Sequence, residues 1–99
     1  MELNHLKEFV VLAKIENYME AAENLFISQS TLSKHIKSLE TELGINLFDR
    51  TTRQVKLNEA GRVFLKYAQQ MIEIQYQFNT ALLNLKEAEE QSLTIGSIP

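Results

Sequence analysis

The side chains with the clearest capacity for chemistry lie together in one short stretch, where apolar residues are interspersed among polar ones. The polar members are Gln29, Ser30, Thr31, Ser33, Lys34 and Lys37. Amide and hydroxyl groups pair with the donors and acceptors on base edges, and ammonium groups attract phosphates. The stretch therefore has side chains suited to contacting a nucleic acid, provided that its backbone presents them on one face.

The apolar residues of this stretch predict the backbone that is needed. They recur at helical spacing, which places them on one inward face of a helix: Leu32, Ile36, Leu39 and Leu43. Ser28 is suited to accept a hydrogen bond from the first-turn N–H groups, and Gly44 to end the helix in a left-handed conformation. The sequence thus predicts a helix whose exposed face carries two cations and no carboxylate.

Two shorter helices are predicted before it. From Leu3 to Glu16 the apolar residues recur every three or four positions, and Asn17 can cap a second helix. The apolar positions expected on this second helix are Tyr18, Ala21, Ala22, Leu25 and Phe26. With only a short turn before the polar stretch, the second and third helices form a predicted helix-turn-helix, which can place its last helix in the major groove of DNA.

A hairpin is expected after Gly44. The segment 54–57 alternates polar and apolar residues, and Arg50 and Arg53 lie near the expected tip. Such a hairpin would be a wing on the adjacent DNA backbone or minor groove. The alternative for Arg50 is an ion pair inside the domain with Asp49 or Glu42.

A long helix is predicted from Asn58, which can cap it. One seam of it repeats at alternating spacings of four and three residues: Ala60, Phe64, Tyr67, Met71, Ile74, Phe78, Ala81, Leu85 and Ala88. A heptad seam favours a helix-on-helix interface, and the helix over 58–90 would be about 50 Å long. The predicted homodimer residues are Phe64, Tyr67, Met71, Ile74, Phe78, Ala81 and Leu85. Those nearest Asn58 could instead pack on their own domain.

Composition sets the limits of these predictions. The chain has 99 residues, 44% of them apolar, no Cys and a formal charge of −3, as expected for one small globular domain in the cytoplasm. Residues 28–56 nevertheless hold five basic against three acidic side chains, so a positive region lies between acidic flanks. No nucleophile–base pair, phosphate-cradling Gly loop or metal cluster is present, so an enzyme is not expected, and His5 and His35 are interpreted as structural.

The same segments resemble the DNA-binding region of LysR-type transcriptional regulators. The resemblance covers nearly all of the chain and is carried by 21–40 (AAENLFISQSTLSKHIKSLE), by 42–44 (ELG), by 47–50 (LFDR), by 57–61 (LNEAG) and by 93–96 (LTIG). Lys34 stands where Arg is frequent in that family, which removes the bidentate geometry of a guanidinium. The number of matching positions in order makes this similarity specific.

The resemblance implies a mainly α fold, in which a winged helix-turn-helix of three helices and a two-stranded wing precedes a long dimerisation linker helix. It implies a DNA-binding domain over 1–57, a linker helix over 58–90, and over 91–99 the start of an effector-binding domain that these residues do not include. That domain would bind a small-molecule effector, and no cofactor is expected in this chain. Ser28 would contact a phosphate.

The partners implied are a double-stranded operator and a second copy of the chain, with a tetramer for the full-length protein and no membrane. Leu93 to Ile98 alternates as a strand does. The alternative function is a winged-helix adaptor that binds another protein.

Overall fold

A computed structural model describes residues 1–49 and 54–96, with the side chains described as far as residue 89. Four helices follow one another in that part of the chain: α1 (Leu3–Ile15), α2 (Tyr18–Leu25), α3 (Gln29–Leu43) and α4 (Glu59–Gly96). The mainly α fold and the helix order predicted from the sequence are confirmed.

Helices α2, α3 and α4 begin, and α3 ends, at the capping residues predicted from the sequence. The side-chain oxygen of Asn17 accepts a hydrogen bond from the Glu20 N–H at 3.0 Å, and Ser28 Oγ accepts one from the Thr31 N–H at 3.1 Å. Asn58 Oδ1 accepts one from the Gly61 N–H at 2.7 Å at the start of α4. Gly44 ends α3 with a left-handed φ of 72°. Because each cap satisfies N–H or C=O groups that lack a partner inside the helix, these local residues fix the helix boundaries.

The hydrophobic core is built around α1. The Phe9 ring is fully buried and lies edge-on to two other rings, at 5.6 Å from Phe48 and 5.0 Å from Phe64. The other fully or nearly fully buried apolar side chains are Leu6, Leu12, Ala21, Ala22, Leu32, Ile36, Leu39, Leu47 and Ala68. Every described element therefore packs against one core, and α3 is held with its apolar side inward.

The base of the predicted wing is a single antiparallel bridge. It pairs Phe48 with Leu57, and the Asp49 N–H donates to the Lys56 carbonyl at 2.7 Å. The two chain segments that leave the bridge are therefore antiparallel, as a hairpin requires. The expected tip, with Arg50 and Arg53, lies outside the described residues.

The prediction of a strand near the end of the chain is wrong for residues 93–96. These residues belong to α4, which continues without interruption to Gly96. A lone strand leaves its N–H and C=O groups without partners, whereas a helix satisfies them internally. The rest of that segment, residues 97–99, lies outside the described part of the chain.

Phe26 does not belong to the apolar face predicted for α2. The helix ends at Leu25, and Phe26 adopts a left-handed conformation with φ 59° and is 95% exposed. The Ile27 N–H then donates to the Ala22 carbonyl at 3.0 Å, which turns the chain toward α3. The tight turn between the two helices thus places an aromatic side chain in solvent in a conformation that bulky residues rarely adopt.

Phe26→Gly is expected to stabilise the fold by about 0.5–1 kcal/mol, because Gly adopts positive φ freely and the lost side chain contributes almost no burial. Urea unfolding at a fixed protein concentration measures the change. Glu23→Gly, inside α2, is the matched control and should destabilise by about 1 kcal/mol. Equal losses in both variants would contradict the strain assigned to Phe26.

Candidate nucleic-acid interface

The predicted orientation of α3 is confirmed. Its polar residues Gln29, Ser30, Ser33, Lys34 and Lys37 are exposed, Thr31 is half-buried, and the apolar residues face the core. Neither carboxylate of α3 presents an unpaired charge on the polar face: one is buried, and the other is exposed but paired with an ammonium group. Glu40 is buried at 4% exposure, and Glu42 pairs with the Met1 ammonium of the segment before α1 at 3.0 Å. The exposed polar face, which we call the recognition face, therefore combines two cations with small hydrogen-bonding groups.

Three hydroxyl groups gather where α3 begins. Ser28 Oγ donates to Thr31 Oγ1 at 2.7 Å and lies 3.2 Å from Ser30 Oγ. Since Ser28 gives its proton to Thr31, Ser30 is the donor in the 3.2 Å contact, and the hydroxyl proton left for an outside acceptor such as a phosphate is that of Thr31. A phosphate contact of the Ser28 hydroxyl therefore requires it to turn away from Thr31. The backbone N–H groups and the positive end of the helix dipole add to the attraction for an anion at this end of α3.

Two grooves lie beside α3, and Tyr18 of α2 lines both of them. The first is lined by Ser33 and Lys37 together with Tyr18 of α2 and Asn46 of the loop that follows α3. The second places Gln29 beside residues of the wing base and of the start of α2, among them Asn17, Met19, Gln54 and Lys56. Part of the recognition face therefore lines a surface groove, and the start of α3 borders a second groove that also contains the carboxylates Glu16 and Glu20.

Sequence reasoning missed four of these groove residues, namely Tyr18, Asn46, Gln54 and Lys56. Lys56 carried a usable signal, because it alternates with Val55 and Leu57 and so faces away from the core. Tyr18 occupies an apolar helical position, which indicated core, and its side chain is half-buried. Which loop and wing residues border α3 depends on the tertiary packing.

Glu40 ties α3 to the wing base. Its buried carboxylate accepts a hydrogen bond from the Leu47 N–H at 2.7 Å, and Leu47 directly precedes the bridge residue Phe48. A buried carboxylate is tolerated only with such partners, so this contact holds the segment 45–48 against α3. The wing arginines, Arg50 and Arg53, lie outside the described residues, and their predicted DNA contacts stay predictions.

The predicted dimer seam divides into two groups on α4. Phe64 is half-buried and packs on Phe9 of its own chain. The other predicted residues are exposed: Tyr67, Met71, Ile74, Phe78, Ala81 and Leu85. Ile74, Phe78 and Leu85 are 62%, 58% and 67% exposed, which is unusual for large apolar side chains on one seam.

The length of α4 explains this exposure. The helix has 38 residues and would be about 57 Å long, and the molecule measures 71 × 25 × 20 Å. The core of the domain accompanies α4 as far as Ala68 and the half-buried Ile72. Beyond them the seam has nothing to pack on in the described part of its own chain.

Residues 1–49 and 54–96 contain neither a candidate metal site nor a candidate membrane-spanning helix. No group of three or more His, Cys, Asp and Glu side chains there is arranged to hold a metal ion. None of the helices there has the length and apolar character needed to cross a membrane.

Comparison with known proteins agrees with this geometry. A family model described as "Bacterial regulatory helix-turn-helix protein, lysR family" matches residues 3–62. Over 95 residues the chain is 41% identical to a probable RuBisCO transcriptional regulator of Thalassiosira pseudonana, covering 96% of the chain and 31% of that relative. Over 101 residues it is 41% identical to the Hca operon transcriptional activator HcaR of Escherichia coli K12, covering 100% of the chain and 33% of the relative.

A solved structure has the same fold. The BenM DNA-binding domain in complex with benA site 1 DNA matches with a TM-score of 0.82 and 36% identity, over 87% of this chain and 97% of that one. The chain spans about a third of the length of the curated relatives that it matches. Since the family model covers residues 3–62, including all of α1, α2 and α3, the chain belongs to the lysR family of bacterial regulatory helix-turn-helix proteins.

Proposed function

We propose that this chain is the DNA-binding and dimerisation part of a sequence-specific transcriptional regulator. The observation that carries the proposal is the recognition face of α3, where exposed Lys34 and Lys37 accompany amide and hydroxyl groups and no unpaired carboxylate of α3 interferes. An α-helix fits the major groove, where such side chains match base edges. The BenM domain in complex with DNA supports it, because its fold is the same.

In this proposal α3 lies in the major groove and the wing on the adjacent backbone or minor groove. The residues that we assign to DNA contact are Ser28, Gln29, Ser30, Thr31, Ser33, Lys34, Lys37, Arg50 and Arg53. The first groove beside α3 brings Tyr18 near Lys37, and the second brings Lys56 near Gln29. Both grooves thus border residues of the recognition face.

The adaptor alternative gains no support from the relatives, which are named as transcriptional regulators and DNA complexes. The relatives also favour a regulator over an enzyme. We further propose a DNA-binding domain over 1–57, a linker helix over 58–90 and the beginning of an effector-binding domain over 91–99. A small-molecule effector would then bind beyond this chain, and the protein would work in the cytoplasm as a homodimer.

Affinity for a duplex should fall steeply with salt, because lysines and arginines that neutralise phosphates release counterions. With on the order of six phosphate contacts per dimer, the slope of log affinity against log salt should be about −5. Fluorescence anisotropy of a labelled operator fragment, selected from genomic DNA by the protein itself, measures it. A slope near zero would contradict the proposal.

Lys34→Ala should weaken operator binding by about 1–3 kcal/mol if the ammonium reaches a base edge. Random duplex of the same length should then lose less affinity than the operator, because it loses one charge near its phosphates but no base contact. Lys14→Ala removes an exposed lysine from the last turn of α1 and is the charge-matched control. Equal losses of Lys34→Ala on operator and on random DNA would instead assign Lys34 to a phosphate.

A further inference from the structure

Two histidines and a buried carboxylate join α1 to α3 on the side away from the recognition face. The rings of His5 and His35 stack, with centroids 4.3 Å apart and planes 27° apart. His35 Nδ1 lies 2.7 Å from Glu8 Oε1, and His5 Nε2 lies 3.4 Å from Glu2 Oε2. We call His5, Glu8 and His35 the histidine cluster.

The shortest contact in the histidine cluster is the hydrogen bond between His35 and Glu8, and the chemistry of the carboxylate indicates which group donates. An ionised carboxylate only accepts hydrogen bonds, so His35 donates through an Nδ1–H to Glu8. The Glu8 side chain is 10% exposed, so water offers it little compensation if this bond breaks. A charge-assisted hydrogen bond in such a place is expensive to lose, and it holds the two helices in one relative position.

The hydrogen bond from His35 to Glu8 lies close, along the axis of α3, to the cations of the recognition face. His35 directly follows Lys34 and lies two residues before Lys37, in the middle of α3. A residue held there restrains the rotation of the helix about its own axis, and that rotation aims Lys34 and Lys37. The packing of its apolar side fixes which side of α3 faces the core, and the directional hydrogen bond between His35 and Glu8 adds a restraint on small rotations within that packing. The His5 ring stacks on the His35 ring and adds a second contact between α1 and α3 at the same place.

We propose that Glu8 and His5 are positioning residues that act through His35 to aim the recognition face, and that they determine discrimination between operator and random DNA. The inference rests on the proposed DNA-binding function. Base contacts require side chains placed in register with base edges, whereas attraction to phosphates depends mainly on charge. A small rotation of α3 should therefore reduce operator affinity and leave affinity for random duplex nearly unchanged.

The test compares two affinities for each variant of the whole chain: one for an operator fragment selected from genomic DNA by the wild-type protein, and one for a random duplex of equal length. Glu8→Ala should lower the ratio of the two about ten-fold, the scale of one lost base contact. Glu8→Gln keeps an acceptor for the His35 N–H and should recover most of the ratio. His35→Ala, which removes a side chain that is 31% exposed, should reproduce the loss if Glu8→Ala folds poorly.

Glu23→Gln is the matched control. It removes one negative charge from the exposed surface of α2, the helix that precedes α3, and should leave the ratio unchanged. If Glu23→Gln lowered the ratio as much as Glu8→Ala does, charge and not position would be responsible, and the proposal would be overturned. Parallel losses on operator and random DNA, or an unchanged ratio in folded Glu8→Ala and His35→Ala, would also overturn it. Failure of the wild-type chain to bind either duplex would instead refute the proposed function.

Discussion

Gly61→Ala is expected to lower the free energy of unfolding by about 3 kcal/mol, at the upper end of the usual cost of overpacking. A Cβ at this position would overlap with the Leu47 carbonyl oxygen and lie 2.8 Å from Leu57 Cδ2. The Leu47 oxygen cannot retreat freely, because it accepts a hydrogen bond from the Asn58 N–H at 3.0 Å. The first turn of α4 would have to move away from the wing base.

Helix propensity alone predicts the opposite sign for this substitution, since Ala is favoured over Gly inside a helix by about 1 kcal/mol. Gln70→Ala, on the exposed side of α4, separates the two effects and should change stability by less than about 0.5 kcal/mol. Urea unfolding of both variants at one protein concentration measures the difference. A Gly61→Ala protein as stable as wild type would show that α4 does not approach Leu47 as closely as the structure indicates.

Phe78→Glu is expected to convert the proposed dimer to monomers at micromolar concentration. The substitution places a carboxylate in the middle of the exposed seam of α4, where a second chain would have to bury it without a partner. Operator affinity should then fall about 100-fold, because two tethered half-site contacts become one. Light scattering after size-exclusion chromatography reports the mass, and anisotropy reports the affinity.

Thr80→Glu is the matched control for this variant, because it adds the same charge to α4 two residues away. Successive residues advance by 100° around a helix, so Thr80 lies about 200° from Phe78, on the side opposite the seam. It should remain dimeric with nearly unchanged operator affinity. A dimeric Phe78→Glu protein would contradict the linker-helix interface, and monomers in both variants would assign the effect to charge repulsion in general.

Most of the helical architecture could be predicted from local signals. Asn17, Ser28 and Asn58 each bond a backbone N–H three residues further along, and Gly44 ends α3 through its own φ. Such interactions need no distant partner, so the residues that make them are visible in the sequence. The recognition face was predictable for the same reason, because the spacing of the apolar residues of α3 fixes which side remains outside.

The failed predictions concern segments whose structure depends on a partner. A strand exists only beside another strand, and nothing in the local alternation of Leu93 to Ile98 provides one. Phe26 follows the apolar spacing of α2 but lies one residue past its end, where the turn into α3 directs it to solvent. Periodicity alone does not show that the helix has stopped.

By itself the sequence determined the four helices, the caps that begin α2, α3 and α4, the glycine that ends α3, the polar face of α3 and the heptad seam of α4, since all of these are set by residues within one or two helical turns. Only the tertiary structure decided that Glu8 and Glu40 are buried and bonded, that Gly61 meets a carbonyl, and that Phe64 packs inward while Ile74 and Phe78 remain exposed. Both carboxylates occupy ordinary polar positions in a helical pattern, and α4 is apolar on two sides. Which side a domain covers, and which charge it encloses, depends on contacts between residues far apart in the chain, and these are fixed only when the helices pack together.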